Sequence, residues 1–236
     1  MFRNSLSLDE GLAEYLANKM SILIDTEEKI NIGLSGGNTP KLLFDELARN
    51  YRSKVKWRNV NFYWVDERCV PPSDSESNYK LAFDHLLDPL EIGINQIHRI
   101  HGESEPETEA ERYTTESLNG IKPSNGLSKF DILLMGIGSD GHTASIFPDR
   151  LDILNSEKMC EVSIHPVTGQ KRITMTGRLI NNSENIYFMI SGADKSEAVK
   201  NILEESREAN NYPANYIKPN FGELVWFLDK EAGSKL

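Results

Sequence analysis

Ile132-Leu133-Leu134-Met135-Gly136-Ile137-Gly138-Ser139-Asp140-Gly141-His142-Thr143-Ala144-Ser145 is the stretch from which the rest of the chain is read. Its opening apolar run describes a buried strand, and the glycines after it describe a turn at the strand's carboxyl end. In α/β proteins that end is where ligands bind. The glycines let the backbone turn tightly and come close to a ligand, and histidine is the side chain best suited to move a proton near neutral pH.

The same strand-then-turn unit recurs on either side. Ile30-Asn31-Ile32-Gly33-Leu34 reads as a short buried strand. Ser35-Gly36-Gly37-Asn38-Thr39-Pro40 reads as a turn delivering a helix, with Thr39 as N-cap and Pro40 at its first position. Before it, Ser7-Leu8-Asp9-Glu10 has the spacing of a capping box, and apolar residues continue at helical period to Leu23. Residues 60–65 form a further strand, 66–76 a polar loop, and 77–87 a helix with Tyr79, Ala82, Phe83, Leu86 and Leu87 on one face. Residues 103–116 are acidic and weakly periodic, as in an exposed helix over one side of the domain. Strands are expected at 159–164, 172–175, 186–190 and 224–228, a helix at 195–203, and surface loops at 119–128 and 210–215. Strands alternating with helices imply a mainly parallel sheet covered on both faces, within one domain spanning residues 1–236.

Composition narrows the partners. The chain has 26 Lys plus Arg against 36 Asp plus Glu, a formal charge of −10. Its long-range field repels nucleic acids and anionic membranes, so neither is an expected partner, and any anionic ligand must meet local positive charge. No apolar run approaches a membrane span, and no signal-peptide core follows the N-terminus. Cys69 and Cys160 are too few and too far apart for a disulfide framework or a zinc site. A cytoplasmic monomer without metal or cofactor is the expectation.

Three segments offer chemistry. Residues 35–39 join a strand to a helix N-terminus, where unpaired N–H groups favour an anion; the same residues also suit an ordinary tight turn, and they lack the spacing of a nucleoside-triphosphate loop. Gly136-x-Gly138-x-x-Gly141 matches a dinucleotide fingerprint, with Glu161 about twenty residues on as the ribose acid. Pro148 cuts any following helix short, so the match is read as accidental. What that pattern leaves is Asp140-Gly141-His142, and on position alone His142 is read as a general acid/base, whereas His85, His98, His101 and His165 have no such context. Asp66-Glu67-Arg68 brings carboxylates and a guanidinium to the same sheet edge, and Arg172 and Lys195 stand near strand ends as the local cations a phosphorylated ligand needs.

Taken together, Gly33 to Pro40, Trp64-Val65-Asp66-Glu67-Arg68 with Ser77-Asn78, Gly136 to Phe147, Arg172-Ile173-Thr174-Met175-Thr176 and Gly192-x-x-Lys195 resemble the 6-phosphogluconolactonases of the pentose phosphate pathway, in order and spacing across nearly the whole chain. The related glucosamine-6-phosphate deaminases share Asp-Gly-His but not the Thr143-Ala144-Ser145-Ile146-Phe147-Pro148 continuation, and carry Asp-Glu-Tyr where this chain has Asp66-Glu67-Arg68. Asn181-Asn182-Ser183 departs from the family's Asn-x-Ala. The resemblance implies a three-layer α/β/α modified Rossmann-like fold and a hydrolase acting on a phosphorylated sugar lactone. His142 would then be the general base, with Asp140 and Asp66 orienting it or the sugar hydroxyls. The oxyanion would be met by Arg68 or backbone N–H groups, and the phosphate by Ser35, Gly36, Gly37, Asn38, Thr39, Arg172 and Lys195. Two other functions compete: a deaminase/isomerase using Asp66 as base, and a catalytically silent sugar-phosphate sensor.

Overall fold

A computed structural model describes residues 5–236. Helix α1 (Ser5–Thr26), strand β1 (Ile30–Leu34) and helix α2 (Asn38–Asn50) open the chain. They are followed by β2 (Val60–Trp64), β3 (Asp66–Arg68), α3 (Asn78–Ala82), β4 (Ile97–His98) and α4 (Pro106–Arg112). Next come β5 (Pro123–Ser124), β6 (Leu127–Ser128), β7 (Ile132–Met135), β8 (Cys160–Ile164) and β9 (Lys171–Met175). Helix α5 (Gly177–Asn181), β10 (Asn185–Ile190), α6 (Ser196–Leu203) and β11 (Glu223–Leu228) close the order.

Six strands make a wholly parallel sheet in the order β11-β10-β7-β1-β2-β4. Every residue of β7 and β10 is buried, as their unbroken apolar runs require of strands covered on both faces. On one face Leu16, Met20, Phe44, Leu47 and Leu86 close over Ile32, Leu34, Phe62 and Leu134, leaving a void of only about 10 Å³. From β1 the chain builds outward through β2 and β4, then returns to build β7, β10 and β11 on the other side. The order therefore reverses between β1 and β7, and the two glycine turns flank that crevice.

The second sheet was not expected. Val65 donates its N–H to Leu34 of β1 (2.9 Å) and accepts from Met175 N of β9 (2.8 Å), so at this residue the chain leaves the parallel sheet. Residues 66–68, read as loop, become β3 of an antiparallel sheet ordered β3-β9-β8. Glu67 explains why so polar a strand is stable: its buried carboxylate accepts from the N–H groups of Arg68, Asn78 and Tyr79 and from Ser77 Oγ, at 2.7–3.0 Å. Burial pushes the Glu67 carboxyl up from its ordinary pKa, against the pull of those four donors.

Other expectations need correction. Helix α1 is already under way at Ser5, so position 7 lies within it and not at its start. Asp9 is instead buried, with neither carboxylate oxygen partnered among the described residues. Ser77 does cap α3, accepting Lys80 N at 3.1 Å, and residues 83–87 continue it as a wider π turn. The acidic helix is not merely a solvated face. Glu109 is buried and takes His101 N and the Arg112 guanidinium at 2.6–2.7 Å, while the hydroxyl of buried Tyr113 bonds both the N–H and C=O of Trp64. Residues 119–128 include the β5-β6 hairpin. After Gly141 no helix begins at all: Thr143 and Ile146 bridge in a tight turn, and Pro148–Asn155 form a 3₁₀ segment, which disposes of the dinucleotide fingerprint.

Candidate active site

A cleft of about 480 Å³ opens at the carboxyl ends of β1, β2, β7 and β10. Ten of the eleven expected site residues line it: Ser35, Gly36, Gly37, Asn38, Thr39, Asp66, Arg68, His142, Arg172 and Lys195. The eleventh, Asp140, stands behind the histidine. Its Oδ1 is 2.6 Å from His142 Nδ1 and also accepts His142 N–H at 3.1 Å. Nε2 is thus the ring nitrogen left for a reactant, and with 27% of its side chain exposed His142 remains accessible. Partial burial works to raise the Asp140 carboxyl, but the hydrogen bonds and charge of His142 prevail and hold it below the usual carboxylate range. Gly138 makes the pair possible, since a Cβ there would overlap His142 Nδ1 and Asp140 Oδ1. Within the turn, Gly138 N bonds His142 O (2.9 Å), Gly141 N bonds Gly138 O (3.0 Å) and Thr143 Oγ1 bonds Gly136 O (2.8 Å).

Asp66 does not reach His142. Its Oδ2 accepts Ser145 Oγ (2.6 Å) and its Oδ1 accepts Asn78 Nδ2 (3.3 Å), so of the two aspartates only Asp140 orients the imidazole. Asn78, Ser191 and Asp194 line the cleft without having been singled out as site residues. Asn78 is wedged against Gly36, where any Cβ would strike its side-chain amide. The hydroxyl of Ser35 donates to Leu134 O at 2.7 Å, tying β1 to β7 and leaving only its oxygen for a ligand. Thr39 is not the N-cap of α2. Gly37 occupies that position, and Thr39 Oγ1 lies 2.7 Å from Ser191 Oγ, joining the turns after β1 and β10.

Positive charge concentrates on the second sheet. Arg68 and Arg172 stand directly opposite each other across β3 and β9. Both Nε atoms are buried with no hydrogen-bond partner, and among the described residues no carboxylate pairs with either guanidinium. Arg68 Nη1 donates to Glu76 O (2.5 Å), and Arg172 Cζ lies 5.8 Å from the centre of the Phe147 ring. Burial is the main influence pulling the Arg172 guanidinium below its ordinary pKa; Asp66 opposes it and Arg68 adds to it. Two like charges on neighbouring strands with unspent donors make one place for an anion. Lys195, by contrast, is already paired with Asp194. The N-terminal turn of α2 adds N–H groups of residues 38 and 39 on the same cleft.

The remaining histidines have other partners, although His165 lies beside the site, its ring 5.1 Å from that of Phe147, which also packs against His142. His85 Nδ1 pairs with Asp45 at 2.8 Å, His98 stacks on Tyr63, His101 lies near Glu109, and His165 Nδ1 accepts Val167 and Thr168 N–H at 3.2 Å. Among the described residues no three His, Cys, Asp or Glu side chains gather as a metal site, and Cys69 and Cys160 are both free thiols.

Residues 3–226 match the family model described as glucosamine-6-phosphate isomerases/6-phosphogluconolactonase. The chain belongs to this family. It is 41% identical over 222 residues to a 6-phosphogluconolactonase of Haemophilus influenzae, an alignment covering 92% of each chain. The solved structure of a protein described as devB superposes with a TM-score of 0.92 at 37% identity, covering 100% of this chain and 98% of the other. A 6-phosphogluconolactonase from Thermotoga maritima superposes at 0.83 with 27% identity, over 94% and 95% of the two chains. The parallel sheet with flanking helices is thus the α/β fold of the family. No helix among the described residues is long and apolar enough to cross a membrane.

Proposed function

We propose that this chain hydrolyses 6-phospho-D-glucono-1,5-lactone to 6-phosphogluconate, as the names of its relatives suggest, acting as a monomer of one lactonase domain in the cytoplasm. The observation that carries the chemistry is the Asp140–His142 pair at a cleft bearing two guanidiniums with no carboxylate partner among the described residues. His142 Nε2 takes a proton from water as the water oxygen attacks the lactone C1. The tetrahedral oxyanion collapses, the C1–O5 bond breaks, and the imidazolium returns the proton to O5. Asp140 fixes the tautomer that leaves Nε2 free and supports the imidazolium while it lasts. An ester carbonyl is electrophilic enough that orientation and oxyanion stabilisation suffice, so the residues present can perform the reaction unaided.

The phosphate falls to the cations and to the helix N-terminus. Arg68 and Arg172 form one anion-binding unit because they face each other in register, and this joins two residues that the sequence had assigned to opposite ends of the substrate. Lys195, Thr39 and the amides of residues 36–39 complete the surround, while Asp66, steadied by Ser145 and Asn78, offers a carboxylate to sugar hydroxyls.

The test is product formation on three compounds: the phosphorylated lactone, unphosphorylated gluconolactone, and glucosamine 6-phosphate. Rapid hydrolysis of the first, much slower hydrolysis of the second and no ammonia from the third are expected. Ammonia from glucosamine 6-phosphate, with no lactonase rate above spontaneous hydrolysis, would reject the proposal in favour of a deaminase working through Asp66. Silence on all three, with retained binding of 6-phosphogluconate, would point to a sensor.

A further inference from the structure

We infer that Tyr212 is a positioning residue for the Asp140–His142 pair, an inference that rests on the catalytic reading of that pair. Residues 210–215, expected to be no more than a surface loop, lie directly against the catalytic turn. Ala214 N donates to Gly141 O at 3.1 Å. The Tyr212 side chain covers the Cα of Gly141 so closely that a Cβ there would overlap Cβ, Cγ and Cδ1 of the tyrosine. The brace is itself anchored: Pro213 and Ala214 are buried, Asn201 Nδ2 of α6 reaches the Tyr212 hydroxyl at 3.4 Å, and Ser206 Oγ holds Asn201 Oδ1 at 2.9 Å.

The consequence lies in one peptide plane. The carbonyl of Gly141 and the N–H of His142 belong to the same rigid unit. Its N–H end donates to Asp140 Oδ1, the oxygen that also holds His142 Nδ1, and its C=O end is the one gripped by Ala214. Gly141 sits at φ +78°, and a glycine there lets this plane turn over at little steric cost. The other bonds of the turn, from Gly138 N, Gly141 N and Thr143 Oγ1, leave this peptide untouched. A flip would turn the His142 N–H away from Asp140 and release the carboxylate from the ring. Tyr212 packs against the Cα of Gly141 and leads into the segment whose Ala214 N–H holds the carbonyl against such a flip.

Four variants test this: Tyr212→Ala, Tyr212→Phe, Asp140→Ala and the double variant Tyr212→Ala with Asp140→Ala, each assayed for kcat and KM on the phosphorylated lactone. Tyr212→Ala should lower kcat by roughly ten- to a hundredfold with little change in KM, the scale of a small misplacement of a catalytic group. Tyr212→Phe, which keeps the ring and forgoes only the 3.4 Å contact with Asn201, should stay within a fewfold of wild type. In the Asp140→Ala background the tyrosine substitution should cost almost nothing more, because a residue acting through that carboxylate has nothing left to act on, whereas a general structural role would be additive. A wild-type kcat in Tyr212→Ala, equal losses in both backgrounds, or a Tyr212→Phe as impaired as Tyr212→Ala would each overturn the inference. An undiminished kcat in Asp140→Ala would instead defeat the catalytic reading on which it stands. Should Tyr212→Ala not fold, Tyr212→Leu, which fills space without the flat ring, carries the same comparison.

Discussion

Replacing Arg172 by Met should make the protein more stable and the enzyme worse. The Arg172 Nε–H is buried without an acceptor among the described residues, and its guanidinium stands across the ladder from that of Arg68. Removing an unsatisfied buried donor relieves about 1–3 kcal/mol, and relieving a like-charge cross-strand pair adds about 0.2–1 kcal/mol. Against this stands the lost contact of the guanidinium with Phe147, worth about 0.5–1 kcal/mol, while methionine keeps most of the apolar stem. The balance favours the variant by about 1–2 kcal/mol, or roughly 2–8 °C in Tm for a chain of this size. Binding moves the other way. A charge-assisted contact to the phosphate is worth about 1.5–3 kcal/mol, so KM should rise roughly ten- to a hundredfold, with a smaller loss of kcat because the phosphate is held in ground and transition states alike. Differential scanning calorimetry with and without 6-phosphogluconate, beside steady-state kinetics, reads both effects. A variant that melts lower than wild type with an unchanged KM would show that Arg172 holds the fold and not the ligand, and the account of the arginine pair would be wrong.

His142→Ala should lower kcat by about 10² to 10⁴ after subtraction of spontaneous hydrolysis, with 6-phosphogluconate binding retained in calorimetry; a near-normal kcat in the folded variant removes it from the mechanism. Asp140→Asn should keep the geometry but lower kcat about tenfold by withdrawing the charge that supports the imidazolium. Because the folded Asp140 carboxyl is held below its unfolded value, its stabilising effect is present above about pH 4 and lost as pH falls through the folded value; in urea melts the stability difference between wild type and Asp140→Asn should therefore shrink towards acid. Asp9 has the opposite sign. Burial, reinforced by Glu46 and Asp229, raises its carboxyl to about 7, so wild type should lose stability as pH rises from about 4 to about 7, and Asp9→Asn should be the more stable protein at pH 8. If the two proteins keep the same stability difference across that range, the buried carboxyl is not the cause.

What could be read from the sequence was what local pattern controls. β7 and β10 are visible as apolar runs because both their faces are covered, and the turn after β7 is visible because glycines, a carboxylate and an imidazole rarely gather there by packing alone. β3 was invisible because its stability is not local: Asp66-Glu67-Arg68 has no strand pattern, and the four donors that satisfy Glu67 include three from residues 77–79. Thr39 misled for a similar reason, since the partner that draws its hydroxyl away from the helix end is Ser191, on a turn 152 residues later. Arg172 was recognisable as a cation at a strand end, but its opposition to Arg68 is a matter of antiparallel register, which no single segment encodes. The role inferred for residues 210–215 left no signal beyond a tyrosine and a proline among asparagines and an alanine, a composition that any surface loop can carry.

Val65, whose N–H bonds Leu34 of the parallel sheet and whose C=O bonds Met175 of the antiparallel one, has a consequence for how such an enzyme can change. On the proposed mechanism the proton is handled at the end of β7 in one sheet, and the arginines offered to the ligand's charge stand on β3 and β9 in the other. Substitutions at positions 68 and 172 can therefore alter which anion is accepted without disturbing the histidine and its carboxylate. Hydrolytic chemistry and the choice of anion should then be separable traits, so that one anionic handle can be exchanged for another while the proton-transfer pair is kept.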